Sequence, residues 1–145
     1  RNSKWMCYLF TSEPARQSLS YVRNMLEKCV YAGFKECQML IDVKADGTLA
    51  NDATKFDDYN SIADELGIPI TSVKVGGHYN YDNYQSLILS SLAHFPHVTS
   101  VFVMNEDANN VYDHGLNFPS VIKTAYPNVE KVGFSNFETF KIVSY

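Results

Sequence analysis

The chain has 145 residues, of which 46% are hydrophobic, 14% aromatic and 19% charged, a composition that excludes a disordered chain. The length is that of one domain able to bury a core, so residues 1–145 read as a single α/β subdomain. A net charge of −4 without any basic stripe excludes nucleic-acid binding by the chain's own electrostatics, and no apolar run reaches the ~18 residues of a membrane span.

Trp5 to Phe10 is a continuous apolar run, predicted as the first strand, ending in Thr11-Ser12-Glu13-Pro14. Ser12 is the expected N-cap of the helix that follows, with Glu13 and Pro14 in its first turn. Leu19, Val22, Leu26, Cys29 and Val30 recur at helical spacing, and Gly33 stands where a C-cap ends the helix. Gln38 to Val43 is the second strand, followed by a polar loop over 44–54. Phe56, Tyr59, Ile62 and Leu66 mark a second helix closed by Gly67. Ile70 to Val75 is the third strand, ending at Gly76-Gly77; Tyr84, Leu87, Ile88 and Leu92 mark the third helix; Val98 to Met104 is the fourth strand. Phe118, Val121, Ile122 and Ala125 predict a helix before Pro127, Val129 to Phe134 a fifth strand, and Phe140 to Val143 a short last one.

Strands recurring about every thirty residues have the separation that a βαβ crossover requires. The expected fold is α/β: a doubly wound, mostly parallel sheet of five to six strands with helices on both faces. A solenoid is the competing architecture. Ile70, Val98 and Val129 each begin an apolar-x-x-apolar-x-apolar unit, and Pro127-Asn128-Val129-Glu130-Lys131-Val132 resembles a leucine-rich repeat. Against it, the expected Asn is displaced by one position, Leu is scarce, and 44–67 is too long for one repeat.

Most chemistry-bearing motifs fail on inspection. Asp42-Val43-Lys44-Ala45-Asp46-Gly47 begins like an EF-hand loop, but Lys44 fills a ligand slot and Ala53 stands where a bidentate Glu is needed. There is no phosphate loop, no Gly-x-Gly-x-x-Gly after the first strand and no nucleophile elbow. His94 and His97, split by Phe95-Pro96, do not share a helical face for a metal and read as surface residues at a helix C-terminus. Asp57, Asp58, Asp64 and Glu65 read as the solvated face of the second helix. Cys7, Cys29 and Cys37 are odd in number and read as buried reduced thiols, which points to a reducing, cytoplasmic setting. No catalytic constellation, metal site or cofactor is expected.

What remains is polar residues at strand ends: Ser12, Asp42 to Asp46, Gly77 to Tyr81, Asn105 to Asp107, and Ser135 with Asn136. In a parallel sheet these share one rim, where ligands bind. His78-Tyr79-Asn80-Tyr81 offers rings to stack on a sugar and amides to bridge its hydroxyls. The same residues also serve as turns and caps in any α/β protein.

From about residue 12 to 137 the chain resembles the C-terminal effector-binding subdomain of LacI/GalR-type transcription regulators and type I periplasmic binding proteins. The resemblance rests on Lys55-Phe56-Asp57-Asp58-Tyr59, Leu66-Gly67-Ile68, Gly77 to Tyr84, Pro96 to Glu106 and Val132-Gly133-Phe134-Ser135-Asn136, in that order. It implies that the sheet forms one wall of an effector cleft. By motif matching it also implies Lys55, Tyr79, Asn105, Glu106 and Asn136 as ligand-binding residues. Lys55 stands for an Arg and lacks its bidentate fork, Glu106 is one methylene longer than the family's Asp, and Asp58 replaces a Gly. These departures imply either a different effector or a degenerate site.

The function expected is non-catalytic sensing of a sugar or polyol by a cytoplasmic, homodimeric regulator, with DNA bound only through a segment outside this chain. The chain opens at Arg1 without Met and reads as part of a longer one. A solute receptor for transport or chemotaxis on the same fold is the alternative. A sugar-modifying enzyme and a leucine-rich interaction module follow.

Overall fold

The structure, a computed structural model, describes residues 6–77, 84–104, 118–135 and 140–145. Five strands, β1 (Cys7–Phe10), β2 (Cys37–Val43), β3 (Ile70–Gly77), β4 (Ser100–Met104) and β5 (Lys131–Ser135), pair in parallel. The sixth, β6 (Phe140–Ser144), returns antiparallel along β5. Between them lie α1 (Leu19–Tyr31), α2 (Phe56–Glu65), α3 (Tyr84–Leu92) and α4 (Phe118–Ala125), with short 3-10 turns at Pro14–Arg16 and Ala53–Lys55. The α/β class and the mostly parallel, six-stranded sheet are those expected from the strand spacing.

The order of the strands adds what spacing does not contain. Each strand lies beside its successor, β1 through β6. In a doubly wound sheet the order reverses once, and helices pass to the other face at that point. Here Val22 and Leu26 of α1, Phe56, Tyr59, Ile62 and Ala63 of α2, Ile88 and Leu92 of α3, and Ile122 of α4 enter one core. That core contains Leu9, Met39, Val73, Val101 and Val132, which the register places side by side across β1 to β5. A second layer of helices is not found among the described residues.

Alternation along the strands then defines two unlike faces. The inward row continues through Ile41, Val75 and Val103, all buried. Each of these fully buried aliphatic side chains contributes about 1.5–3 kcal/mol relative to exposure. The outward rows are Tyr8, Gln38, Ser72, Ser100 and Lys131, then Phe10, Leu40, Lys74, Phe102, Gly133 and Ile142. A register shift between Cys37 and Gln38 leaves Thr71 as an extra residue on β3, so that both Ile70 and Val73 are buried.

Local signals account for both ends of α1 and the C-terminal end of α2. Gly33 and Gly67 stop α1 and α2, with Phe34 N–H donating to Cys29 O and Ile68 N–H to Ala63 O, both at 3.0 Å. The start of α1 differs from the expectation at Ser12. Pro14–Arg16 forms its own 3-10 turn, and the helix begins after Ser18, whose Oγ accepts from Tyr21 N–H at 3.2 Å. The Pro ring favours the earlier turn; the Ser18 side chain supplies the cap that a longer helix needs.

Two further expectations change. Cys7 on β1 and Cys29 on α1 are joined as a disulfide, not held as reduced thiols, because the helix returns with its Cα 6.2 Å from that of the strand. Cys37 is free and buried. The α2 acids are not merely solvated: Asp57 Oδ1 is 2.7 Å from His94 Nδ1 and Asp64 Oδ2 is 3.0 Å from His97 Nε2. One helical face thus reaches both histidines of the α3–β4 turn, and Phe56 packs edge-on to the His94 ring.

Candidate functional site

The five parallel strands all end on one rim, at Phe10, Val43, Gly77, Met104 and Ser135. Beyond β2 the chain folds back on itself. Lys44 N–H donates to Thr48 O at 2.8 Å, Val43 bridges Leu49, and Ala50 N–H donates to Asp42 O at 2.8 Å. The carboxylate of Asp46 accepts from Thr48 N–H and Thr48 Oγ1 (3.0 and 2.6 Å), which makes this segment a tight turn.

Asn51 locks that turn to the sheet. Its Oδ1 accepts from Asp42 N–H at 2.8 Å, and its Nδ2 donates to Thr11 Oγ1 and to Leu40 O, both at 3.0 Å. Both amide hydrogens are therefore used, and Asn51 and Thr11 are buried. Gln17 Nε2 donates to Ala50 O at 3.1 Å, and Tyr59 Oη donates to Gln17 O at 2.6 Å. Burial raises the Tyr59 phenol above its ordinary pKa, against a smaller opposing effect of Thr11. The β1–β2 part of the rim is thus closed by a satisfied polar network with little capacity left for a ligand. Nothing in the sequence singles out Asn51 from the other polar residues of its loop.

Lys55 sits next to this network, half-buried, at the junction of the Ala53–Lys55 turn and α2. Asp52 caps that turn, accepting from Thr54 N–H and Thr54 Oγ1 at 3.1 and 2.6 Å. Those bonds hold the Asp52 carboxyl below the ordinary carboxylate range, and the Lys55 charge adds a smaller push the same way. Tyr79, Asn105, Glu106 and Asn136 lie outside the described residues. Of the five expected ligand-binding positions, the structure thus locates Lys55, on the rim.

Between β2 and β3 the rim is pinched. Gly77 has φ of +104°, and a Cβ there would strike the Val43 carbonyl oxygen, so only glycine fits. Beside it the Asp42 carboxylate overhangs Gly76, with Oδ1 3.6 Å from where a Cβ would stand.

The outward face of the sheet is a second, larger feature that the sequence did not mark. Tyr8, Phe10, Met104 and Ile142 are 48%, 45%, 42% and 50% exposed on it, values far above those of the opposite face. Phe102 lies over β5: a Cβ on Gly133 would stand 2.6 Å from its Cδ1 and 3.6 Å from Ile142 Cγ1. Around it opens a concavity of about 300 Å³ lined by Gln38, Lys74, Phe102, Met104, Gly133 and Ser135. Gln38 Nε2 donates to Ser72 Oγ at 2.8 Å in its floor.

Among the described residues, no group of three or more His, Cys, Asp or Glu side chains is placed to hold a metal ion, and no helix is long and apolar enough to cross a membrane. Comparison with known protein families finds no match, and comparison with curated proteins finds none either.

Proposed function

We propose that this chain is a non-catalytic interaction module that recognises a partner protein on the outward face of its sheet. The observation that carries this reading is the sequential parallel order of β1 to β5 with the helices of the described residues packed into one core on one face. Among the described residues such an order leaves a continuous strand surface without a covering helix, the geometry by which stacked β–α units present a binding face. Aromatic and Met side chains, the residue types enriched at interface cores, stand on that surface as Tyr8, Phe10, Phe102 and Met104. The repeat-like units beginning at Ile70, Val98 and Val129 accord with it, since all three of these residues are buried at equivalent strand entries.

Site-specific photo-crosslinking in the source cells tests the reading. A photoreactive side chain at Met104, on the open face, is expected to give a discrete adduct, and one at Tyr31, fully exposed on α1, none. Equal adducts from both positions, or an adduct from Tyr31 alone, would reject it.

A second reading keeps the rim as a sugar-binding wall of an effector domain, formed by Lys55 with Tyr79, Asn105, Glu106 and Asn136. Supporting it is the convergence of all five parallel strand ends on one edge beside Lys55. Within that reading the Cys7–Cys29 disulfide favours an exported solute receptor over a cytoplasmic, homodimeric regulator, because such bonds persist in oxidising compartments. Calorimetric titration with a panel of neutral monosaccharides tests it: saturable heat that Lys55→Gln abolishes is the expected result.

A further inference from the structure

Lys74 occupies an unusual place on the open face. The register sets it in the middle of a row, between Leu40 of β2 and Phe102 of β4, with Gln38 and Ser72 in the next row. It is half-buried. Among the described residues the ion pairs join Arg16 to Glu13, Arg23 to Glu65, His94 to Asp57 and His97 to Asp64, and none involves Lys74. The nearest acid on the same face by register is Asp42, at the rim beside Gly76. Lys74 is thus a half-buried residue set between apolar neighbours, and no ion pair among the described residues holds its charge, so an incoming carboxylate meets a cation there.

The concavity beside Lys74 has room for one large side chain, and its walls are of two kinds. Phe102 and Met104 supply ring and thioether surface, while Gly133, bare of a side chain, deepens the floor under the ring. The cavity does not end at its own edge. Leu40, Phe10 and Ile142 continue the same row on both sides. A free small molecule would leave those flanks uncovered, whereas a polypeptide would cover them.

We propose that the concavity around Lys74 receives an acidic side chain next to an aromatic one, both presented by a partner polypeptide, with the carboxylate on the Lys74 ammonium and the ring against Phe102 and Met104. This rests on the reading of the open face as the recognition surface and adds its charge selectivity. The chain's net charge of −4 disfavours acidic partners in general; of the two lysines on the described outward rows, Lys74 and Lys131, it is Lys74 that lines the concavity.

The test uses two acetylated, amidated hexapeptides, one with adjacent glutamate and phenylalanine and one with glutamine in place of the glutamate. Binding to the full chain is read from backbone amide shifts. The glutamate peptide is expected to move the amides of Gln38, Lys74, Gly133 and Ser135 and to bind about fivefold more tightly than its counterpart, the worth of one partly desolvated ion pair. Lys74→Gln is expected to erase that preference and Lys74→Arg to retain it, with the remaining spectrum unchanged as the check on folding. If both peptides move the same amides equally, the face binds without charge selection, and the Lys74 proposal falls while the open-face reading stands. If neither moves an amide on this face, both fall.

Discussion

The ring of Phe102 lies against Gly133 on the neighbouring strand, so close that a Cβ at Gly133 would stand 2.6 Å from Phe102 Cδ1 and 3.0 Å from Cε1. Glycine here is a packing requirement imposed by the adjacent ring. Gly133→Ala must push Phe102 off β5, and overpacking of this kind costs about 1–3 kcal/mol. A lower urea midpoint with an unchanged slope is the expected result. Pairing Gly133→Ala with Phe102→Leu relieves the clash and recovers part of the loss.

Asn51 makes three hydrogen bonds that tie the 44–55 loop to the ends of β1 and β2. Asn51→Ala leaves Asp42 N–H without its acceptor, and Thr11 Oγ1 and Leu40 O without a donor. The loss expected is about 2–4 kcal/mol, since unmet buried polar groups cost more than one hydrogen bond is worth. Hydrogen exchange should quicken at Asp42 and Ala50 before it does elsewhere in β2.

The three cysteines give a countable outcome. Under native, non-reducing conditions a thiol reagent should label none of them, because Cys7 and Cys29 are bonded and Cys37 is buried. After unfolding without reductant it should label one. Burial pushes the Cys37 thiol up to about 12 from 9.0. The folded state thus holds this proton more tightly than the unfolded state, so its contribution is intact below pH 9.0 and lost as pH rises towards about 12. Cys37→Ala should flatten that alkaline loss. Cys29→Ser, which opens a loop closed across 22 positions, should cost about 3 kcal/mol.

Asp46 and Asp52 act in the opposite direction. Each carboxyl is held below its ordinary value of 3.8, first by the hydroxyl and then by the amide of the threonine two residues on. Their contribution is present above pH 3.8 and is lost as pH falls through the lower folded-state values. The thermal midpoint of an Asp46→Asn, Asp52→Asn double variant should therefore vary less than that of the parent below pH 4.

Much of the fold was legible because its signals are local. The spacing of Val22 and Leu26, and of Phe56, Tyr59 and Ile62, placed two helices correctly, and the same residues are buried where the spacing pointed them inward. The continuous apolar run ending at Phe10 placed β1, but not that Tyr8 and Phe10 face outward while Cys7 and Leu9 are buried. The start of α1 was misplaced, since Ser12 and Ser18 are equally good caps locally and only the Pro14–Arg16 turn between them separates the two. Lys55 was singled out by the family resemblance alone, not by the strand-end pattern that marked the other rim residues. Asn51, among several polar residues in that loop, carried no mark of its role.

What the sequence determined by itself was therefore the set of strands and helices, the glycine stops of α1 and α2 and the buried faces of those two helices, because these depend on residues a few positions apart. Tertiary structure decided the rest. A thirty-residue crossover has the same length whichever side of the sheet the chain returns on, so strand order, and with it the face that the described helices leave uncovered, depends on contacts far apart in sequence. The approach of Cys7 to Cys29 and the setting of Lys74 between Leu40 and Phe102 are of the same kind, as spacing along the chain carries no distance across it.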